Sequence, residues 1–226
     1  MTLSQQLNLD GIGMTSLRTR DRLLGRLMEQ GIKNMQVLDV IRSTPRHIFL
    51  DEALSHRAYE DVALPIGYGQ TISQPYVVAK MTEIVSASRQ LKSVLEIGTG
   101  CGYQTAIISR MAKRVYTIER IRPLLERAKR NLKLLGIKNV DFKHDDGSLG
   151  WADRAPFDAI ITTAAPQMIP AELYQQLSSE GGSLVIPVGA DNQQDLKHIV
   201  KSGQSIHTEN LGSVRFVPLL TGQIHS

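Results

Sequence analysis

Three acidic side chains stand at or near the ends of successive predicted strands: Glu96, Glu119 and Asp146. Glu96 opens the stretch Glu96-Ile97-Gly98-Thr99-Gly100-Cys101-Gly102, which reads as the end of a buried strand, a glycine-rich turn and the start of a helix. Glycine at 98, 100 and 102 lets backbone N–H groups approach a ligand that side chains would block. The spacing Glu-x-Gly-x-Gly-x-Gly is not the Gly-x-Gly-x-x-Gly dinucleotide fingerprint, because the third glycine comes one residue early. A carboxylate only accepts hydrogen bonds, so Glu119 can take both hydroxyls of a ribose. Asp146, in His144-Asp145-Asp146-Gly147, is placed to hold an adenine amino group. Three carboxylates repel a pyrophosphate. They suit a ligand with a positive charge, an amino group and a ribose, as in S-adenosylmethionine. The competing reading is three solvated loop acids, and their recurrence after successive strands argues against it.

A second chemical feature lies upstream. Ser73 and Gln74 precede Pro75, which fits the first position of a helix. They therefore sit at a helix N-terminus, where free N–H groups and the dipole attract an anion. A plain helix cap is the alternative role for Ser73. Cys101 has no histidine near it in sequence and reads as a small filler, not a nucleophile. The 6 histidines show no metal-like spacing, and no metal is expected. Trp151 reads as a packing residue.

These groups need a scaffold. Residues 16–30 read as a helix with Leu17, Leu24, Leu27 and Met28 along one face and Gly31 as its stop. Asn34 caps a second helix with Val37, Leu38 and Ile41 inward. A third short helical piece starts near Asp51. Pro65, Gly67 and Gly69 make the next stretch a loop. Val77, Val78, Met81, Ile84 and Val85 form the buried face of the helix that begins at Pro75, and Ser88-Arg89-Gln90 leads into the central strand. From there strands at 93–97, 114–119, 140–144, 158–163 and 183–188 alternate with helices near 103–111, 122–135 and 170–178. Polar-alternating stretches near 195–201 and 205–210 suggest antiparallel edge strands, and a last strand is expected at 213–218. The fold class is α/β: doubly wound, with a mostly parallel sheet covered on both faces. Residues 1–15 are expected to be a flexible extension, 16–90 an α-helical addition, and 91–226 the core, packed with 16–90 as one domain.

Composition agrees with a globular enzyme. Of 226 residues, 42% are hydrophobic and 21% charged, and the net charge of +4 is scattered instead of forming a basic run. The single cysteine excludes an internal disulfide and fits a reducing cytosol. No segment has the apolar length of a membrane span, and the N-terminus has no secretory pattern.

Four stretches carry a resemblance that covers residues 16–222. They are Leu64-Pro-Ile-Gly-Tyr-Gly-Gln-Thr-Ile-Ser-Gln-Pro75, Leu95-Glu-Ile-Gly-Thr-Gly-Cys-Gly-Tyr-Gln-Thr-Ala106, Ala155-Pro-Phe-Asp-Ala-Ile-Ile-Thr-Thr-Ala-Ala-Pro166 and Val214-Arg-Phe-Val-Pro-Leu219. The chain resembles the bacterial protein-L-isoaspartate (D-aspartate) O-methyltransferases. The second stretch marks methyltransferases generally; the first and last are specific to this family. The resemblance implies a seven-stranded, Rossmann-like methyltransferase fold with antiparallel C-terminal strands. It implies S-adenosylmethionine as methyl donor, S-adenosylhomocysteine as product, and L-isoaspartyl or D-aspartyl carboxylates in damaged proteins as acceptors. It further implies that Thr71 and Ile72 lie between cofactor and substrate, with Ser73 in an active-site role. Glu119 matches the ribose acid, and Asp146-Gly147 the turn at the adenine. Thr163, Ala164 and Ala165, with Arg215, Phe216 and Val217, match segments lining the substrate peptide. Cys101 stands where the family has Ser, and Asp145 where it has the first Gly of Gly-Asp-Gly, so a positive φ at Asp145 is the point at issue.

An isoaspartyl carboxylate is already ionised at pH 7 and needs no strong base. The protein must supply alignment. Ser73 is expected to hold one carboxylate oxygen while the other attacks. The methyl ester then cyclises to a succinimide without the protein. A monomer acting on proteins in the cytoplasm, with no nucleic acid or membrane partner, is expected. Other readings stay open here: a methyltransferase for a small molecule or RNA, a binding module without turnover, and a nicotinamide dehydrogenase. The last lacks the glycine spacing and a hydride-site histidine or lysine.

Overall fold

The structure is a computed structural model and describes residues 9, 11–87, 90–190 and 193–226. Most of the 1–15 extension, and Ser88 and Arg89, lie outside the described residues.

Helix α1 (Leu17–Glu29) buries Arg20, Leu23 and Leu27. Its inward stripe is thus turned from the expected one: Leu17 and Met28 face solvent. Helix α2 (Met35–Ser43) is capped as expected, with the Asn34 side chain accepting the Gln36 and Val37 amides. Two 3-10 turns, Arg46–Phe49 and Glu52–Arg57, follow. The segment expected to be a loop is instead a hairpin of β1 (Leu64–Gly67) and β2 (Gln70–Ile72). Leu64, Ile66 and Ile72 are buried, which gives the hairpin a reason to fold back. Pro65 is tolerated because this two-stranded sheet has only edges. At its tip Tyr68 takes φ 55° between two positive-φ glycines. Helix α3 (Pro75–Ser86) then starts with Pro75 in its first turn.

The main sheet comprises β3 (Leu91–Ile97), β4 (Ala112–Glu119), β5 (Val140–His144), β6 (Ala159–Thr162), β7 (Glu180–Ala190), β8 (Gln193–Ser202) and β9 (Ser205–Val214). Its spatial order is β5-β4-β3-β6-β7-β8-β9. Strands β5 to β7 across the sheet are parallel, and β8 and β9 are antiparallel additions. Only β9 of these two is an edge, since β8 lies between β7 and β9. The strand expected at 213–218 does not form. β9 ends at Val214, and the chain leaves the sheet to make isolated bridges between Pro218 and Ala165 and between Ile224 and Ile121. Helices α4 (Tyr103–Ser109), α5 (Arg122–Leu134) and α6 (Ala171–Gln176) complete the alternation. One buried cluster joins Leu23, Leu38, Phe49 and Ile72 to Tyr103, Leu124 and Leu132, so the N-terminal helices share a core with α4 and α5.

Candidate active site

Strand β3 has β4 on one side and β6 on the other, both parallel to it. The chain therefore departs in opposite directions beyond these strand ends and leaves a crevice there. Two adjoining openings occupy it. A groove of about 830 Å³ is lined by predicted site residues Thr71, Ser73, Thr163, Arg215, Phe216 and Val217. Beside it lies a narrow cleft of about 60 Å³ that shares Thr71, Thr163 and Val217 and adds Gly98, Gly100, Glu119, Gly147 and Ala164.

The cleft is built by close backbone approach. At Gly98, with φ 91°, an added Cβ would stand 2.3 Å from Thr163 Oγ1. That hydroxyl donates to the Gly98 carbonyl at 2.6 Å and ties the glycine turn to the end of β6. At Gly147 an added Cβ would stand 2.4 Å from Ile97 Cγ2. Glu119 accepts the Gly100 amide at 2.8 Å on one oxygen and the Ile121 amide at 2.9 Å on the other. Burial raises its pKa, and those amides oppose the rise. A carboxylate oxygen can accept more than one hydrogen bond, so these amides do not use up its acceptor capacity.

Several predicted site residues do not line the openings. Glu96 is fully buried behind the glycine turn. Its Oε2 accepts the Thr105 hydroxyl at 2.5 Å and the Thr117 hydroxyl at 2.6 Å, and Thr99 in the turn bonds Thr117 at 2.6 Å. It braces the turn and does not reach a ligand. Burial pushes its pKa up to about 7. Gly102 faces α5: an added Cβ would stand 2.6 Å from Leu132 Cδ1, so its φ of 90° serves helix packing. The Asp146 carboxylate turns to its own loop and to the C-terminal tail. It accepts the Ser148 amide at 2.9 Å and the Gly222 amide at 2.7 Å. Asp145 is not a positive-φ residue, and it accepts the Gln223 side chain at 2.9 Å. The replaced glycine thus becomes a second tether for the tail. Ile72 is in the core, and Ala165 holds the 217–219 segment through its backbone, with N–H to Val217 O and O to Leu219 N–H at 2.8 Å each.

Ser73 is half-buried, and among the described residues its hydroxyl makes no hydrogen bond. It does not cap α3. That role falls to Asp61, whose Oδ1 accepts the Tyr76 amide at 2.8 Å and whose Oδ2 accepts the Gln74 side chain at 3.1 Å. The sequence assigns no site role to Asp61 or to the apolar liners Val77, Pro218 and Leu219. Asp61 is distant in sequence from the helix it caps, and no local signal reveals it.

Residues 18–224 match the family model described as Protein-L-isoaspartate(D-aspartate) O-methyltransferase. The chain belongs to this family. It is 56% identical over 220 residues to a Saccharophagus degradans protein-L-isoaspartate O-methyltransferase, covering 96% of this chain and 98% of the relative. A Cellvibrio japonicus protein of the same name is 53% identical over 96% of this chain and 97% of its own. A solved protein-L-isoaspartate O-methyltransferase superposes with TM-score 0.78 at 30% identity, over 88% of this chain and 65% of that one. A crystal structure from Plasmodium falciparum, bearing the family's name and in complex with S-adenosyl-L-homocysteine, gives TM-score 0.75 at 26% identity over 88% of this chain and 97% of that one.

The cleft has the chemistry for such a ligand. Glycines 98, 100 and 147 leave backbone exposed to it, Glu119 offers carboxylate acceptors, and Ile121 and Leu219 supply apolar walls. Cys101 is buried, and burial pushes its thiol up to about 11, which suits a filler beside the turn. Trp151 packs edge-on against Tyr116 with ring centroids 5.5 Å apart. Among the described residues no metal-binding cluster occurs, and no helix is long and apolar enough to cross a membrane.

Proposed function

We propose that this chain transfers the methyl group of S-adenosylmethionine to the free carboxylate of L-isoaspartyl and D-aspartyl residues in damaged proteins. The observation that carries the site assignment is the Ser73 hydroxyl, which lines the groove without an internal partner while Asp61 does the capping. When bound, S-adenosylmethionine supplies an electrophilic methyl on a sulfonium. Glu119, Gly98, Gly100 and Gly147 hold its nucleoside part in the cleft. Thr71, Thr163 and Val217 belong to both openings and so form the border across which the methyl passes.

The acceptor carboxylate is ionised at neutral pH, so the protein needs no general base. Ser73 donates to one carboxylate oxygen and leaves the other to attack. Arg215 and Phe216 line the groove from the strap after β9, and together with Thr163 they contact the peptide that carries the damaged residue, whereas Ala164 lines the cofactor cleft alone. Anion and cation neutralise each other on the way to the transition state, and exclusion of water favours that step. The ester leaves and closes to a succinimide in solution. Arg215 is the one charged side chain lining the groove among the described residues, which suits a peptide better than a phosphate polymer.

The working unit in this reading is a monomer. A lone buried cysteine supports a cytoplasmic setting. The shared core of α1, α2, α4 and α5 supports 16–90 and 91–226 acting as one domain. Initial rates of S73A on an isoaspartyl peptide test the site. The rate is expected to fall steeply while affinity for S-adenosylhomocysteine holds; unchanged turnover would remove Ser73 from its role.

A further inference from the structure

Arg46 is fully buried in the 3-10 turn after α2. Its Nη1 donates to the Ser73 carbonyl at 2.8 Å and its Nη2 to the Val62 carbonyl at 3.3 Å. Those carbonyls are the two feet of the hairpin, which begins at Leu64 and ends at Ile72. The guanidinium also lies 4.9 Å from the ring centroid of Tyr103, the first residue of α4 after the glycine turn. One rigid fork thus ties both ends of the hairpin to the helix beside the cofactor cleft. A planar, multi-donor fork is pre-organised to hold two carbonyls at a fixed separation.

Packing alone does not call for a cation here. Burial lowers the pKa of this guanidinium, yet arginine stays protonated, and among the described residues no carboxylate bonds it. Burying a charge without a bonded counter-ion is costly, and an apolar side chain would fill the space without that cost. The bonds to the hairpin feet are what the cation provides. We propose that Arg46 is a positioning residue for methyl transfer: it fixes the Ser73 peptide unit and so sets where the Ser73 hydroxyl stands in the groove. This inference rests on the role given to Ser73 above.

Arg46→Lys keeps charge and length but cannot grip both carbonyls as a fork. Turnover (kcat) on an isoaspartyl peptide is expected to fall about 10- to 100-fold. The Kd for S-adenosylhomocysteine, read by calorimetry, is expected to stay within about twofold, a split that general loosening would not give. Arg46→Met is expected to lose more than Arg46→Lys. The decisive readout is coupling to Ser73. In an S73A background the lysine substitution is expected to cost less than about twofold, because the group it positions is gone. Equal losses in both backgrounds overturn the proposal. So do full turnover by Arg46→Lys, a parallel loss of cofactor affinity, or a lysine variant that fails to fold. Wild-type turnover on the same peptide separates the claims. Its absence overturns the activity itself, whereas wild-type turnover matched by the lysine variant overturns the role of Arg46 alone.

Discussion

Asp61 Oδ1 accepts the Tyr76 backbone N–H at 2.8 Å, and this bond caps the helix in front of which Ser73 stands. Capping and substrate holding are thereby divided between two residues. Ser73→Ala should leave folding stability within about 0.5 kcal/mol of wild type, as a surface substitution away from caps does. It should cut methyl transfer by about 100-fold or more, the scale of losing one donor to a reacting oxyanion. Denaturant titration and initial rates measure the two effects. A stability loss above about 1 kcal/mol would mean that Ser73 caps after all.

The converse holds for Asp61. Asp61→Ala removes the cap and the tie to Gln74, and should cost about 1 kcal/mol. For a chain of this length that lowers Tm by about 2–4 °C. Turnover should drop less than in Ser73→Ala. Calorimetric melting that shows no shift would separate Asp61 from the helix it meets.

Glu119 holds the Gly100 and Ile121 amides and lines the cleft. Glu119→Ala should weaken S-adenosylhomocysteine by about 1–3 kcal/mol through lost ribose bonds. Titration calorimetry measures this. Equal affinity would take Glu119 out of the site.

Glu96 makes a different prediction, because it touches no ligand. Its folded pKa of about 7 lies above the ordinary value of 4.5, and burial is the main cause. Among the described residues its Oε1 makes no hydrogen bond. A raised acid favours folding while both states are protonated. That advantage is fully present below pH 4.5 and is lost as pH rises through about 7. The loss is on the order of 3 kcal/mol. Glu96→Gln cannot ionise and should remove this slope. Unfolding free energies from pH 5 to 8 should show the wild type falling relative to the glutamine variant. Parallel curves would show that Glu96 ionises in the fold as it does in water.

Local signals made most of the scaffold legible. β5 spans Val140–His144 as read from its composition, and α3 begins at Pro75 because proline there loses no needed N–H. The hairpin was not legible. Its pairing of Leu64 with Ile72 is selected by burial on neighbouring elements, and the local glycines and proline read only as a loop. The site was half legible for a similar reason. Glu96 and Glu119 both stand at strand ends, yet β3 is covered on both faces and sequence alternation cannot say which way Glu96 turns. The register Glu96 opposite Thr117 places it against a threonine relay, whereas Glu119 bonds the glycine turn itself. Asp146 met the C-terminal tail, and Asp61 and Arg46 met the Ser73 segment, across separations that no spacing rule covers.

The central claim is that the groove selects an isoaspartyl carboxylate for methylation. Methyl transfer from labelled S-adenosylmethionine to matched isoaspartyl and aspartyl peptides, identical in all other residues, tests it most directly. The isoaspartyl peptide should be labelled and the aspartyl peptide should stay at background. Equal labelling of both peptides, or of neither, would contradict the account.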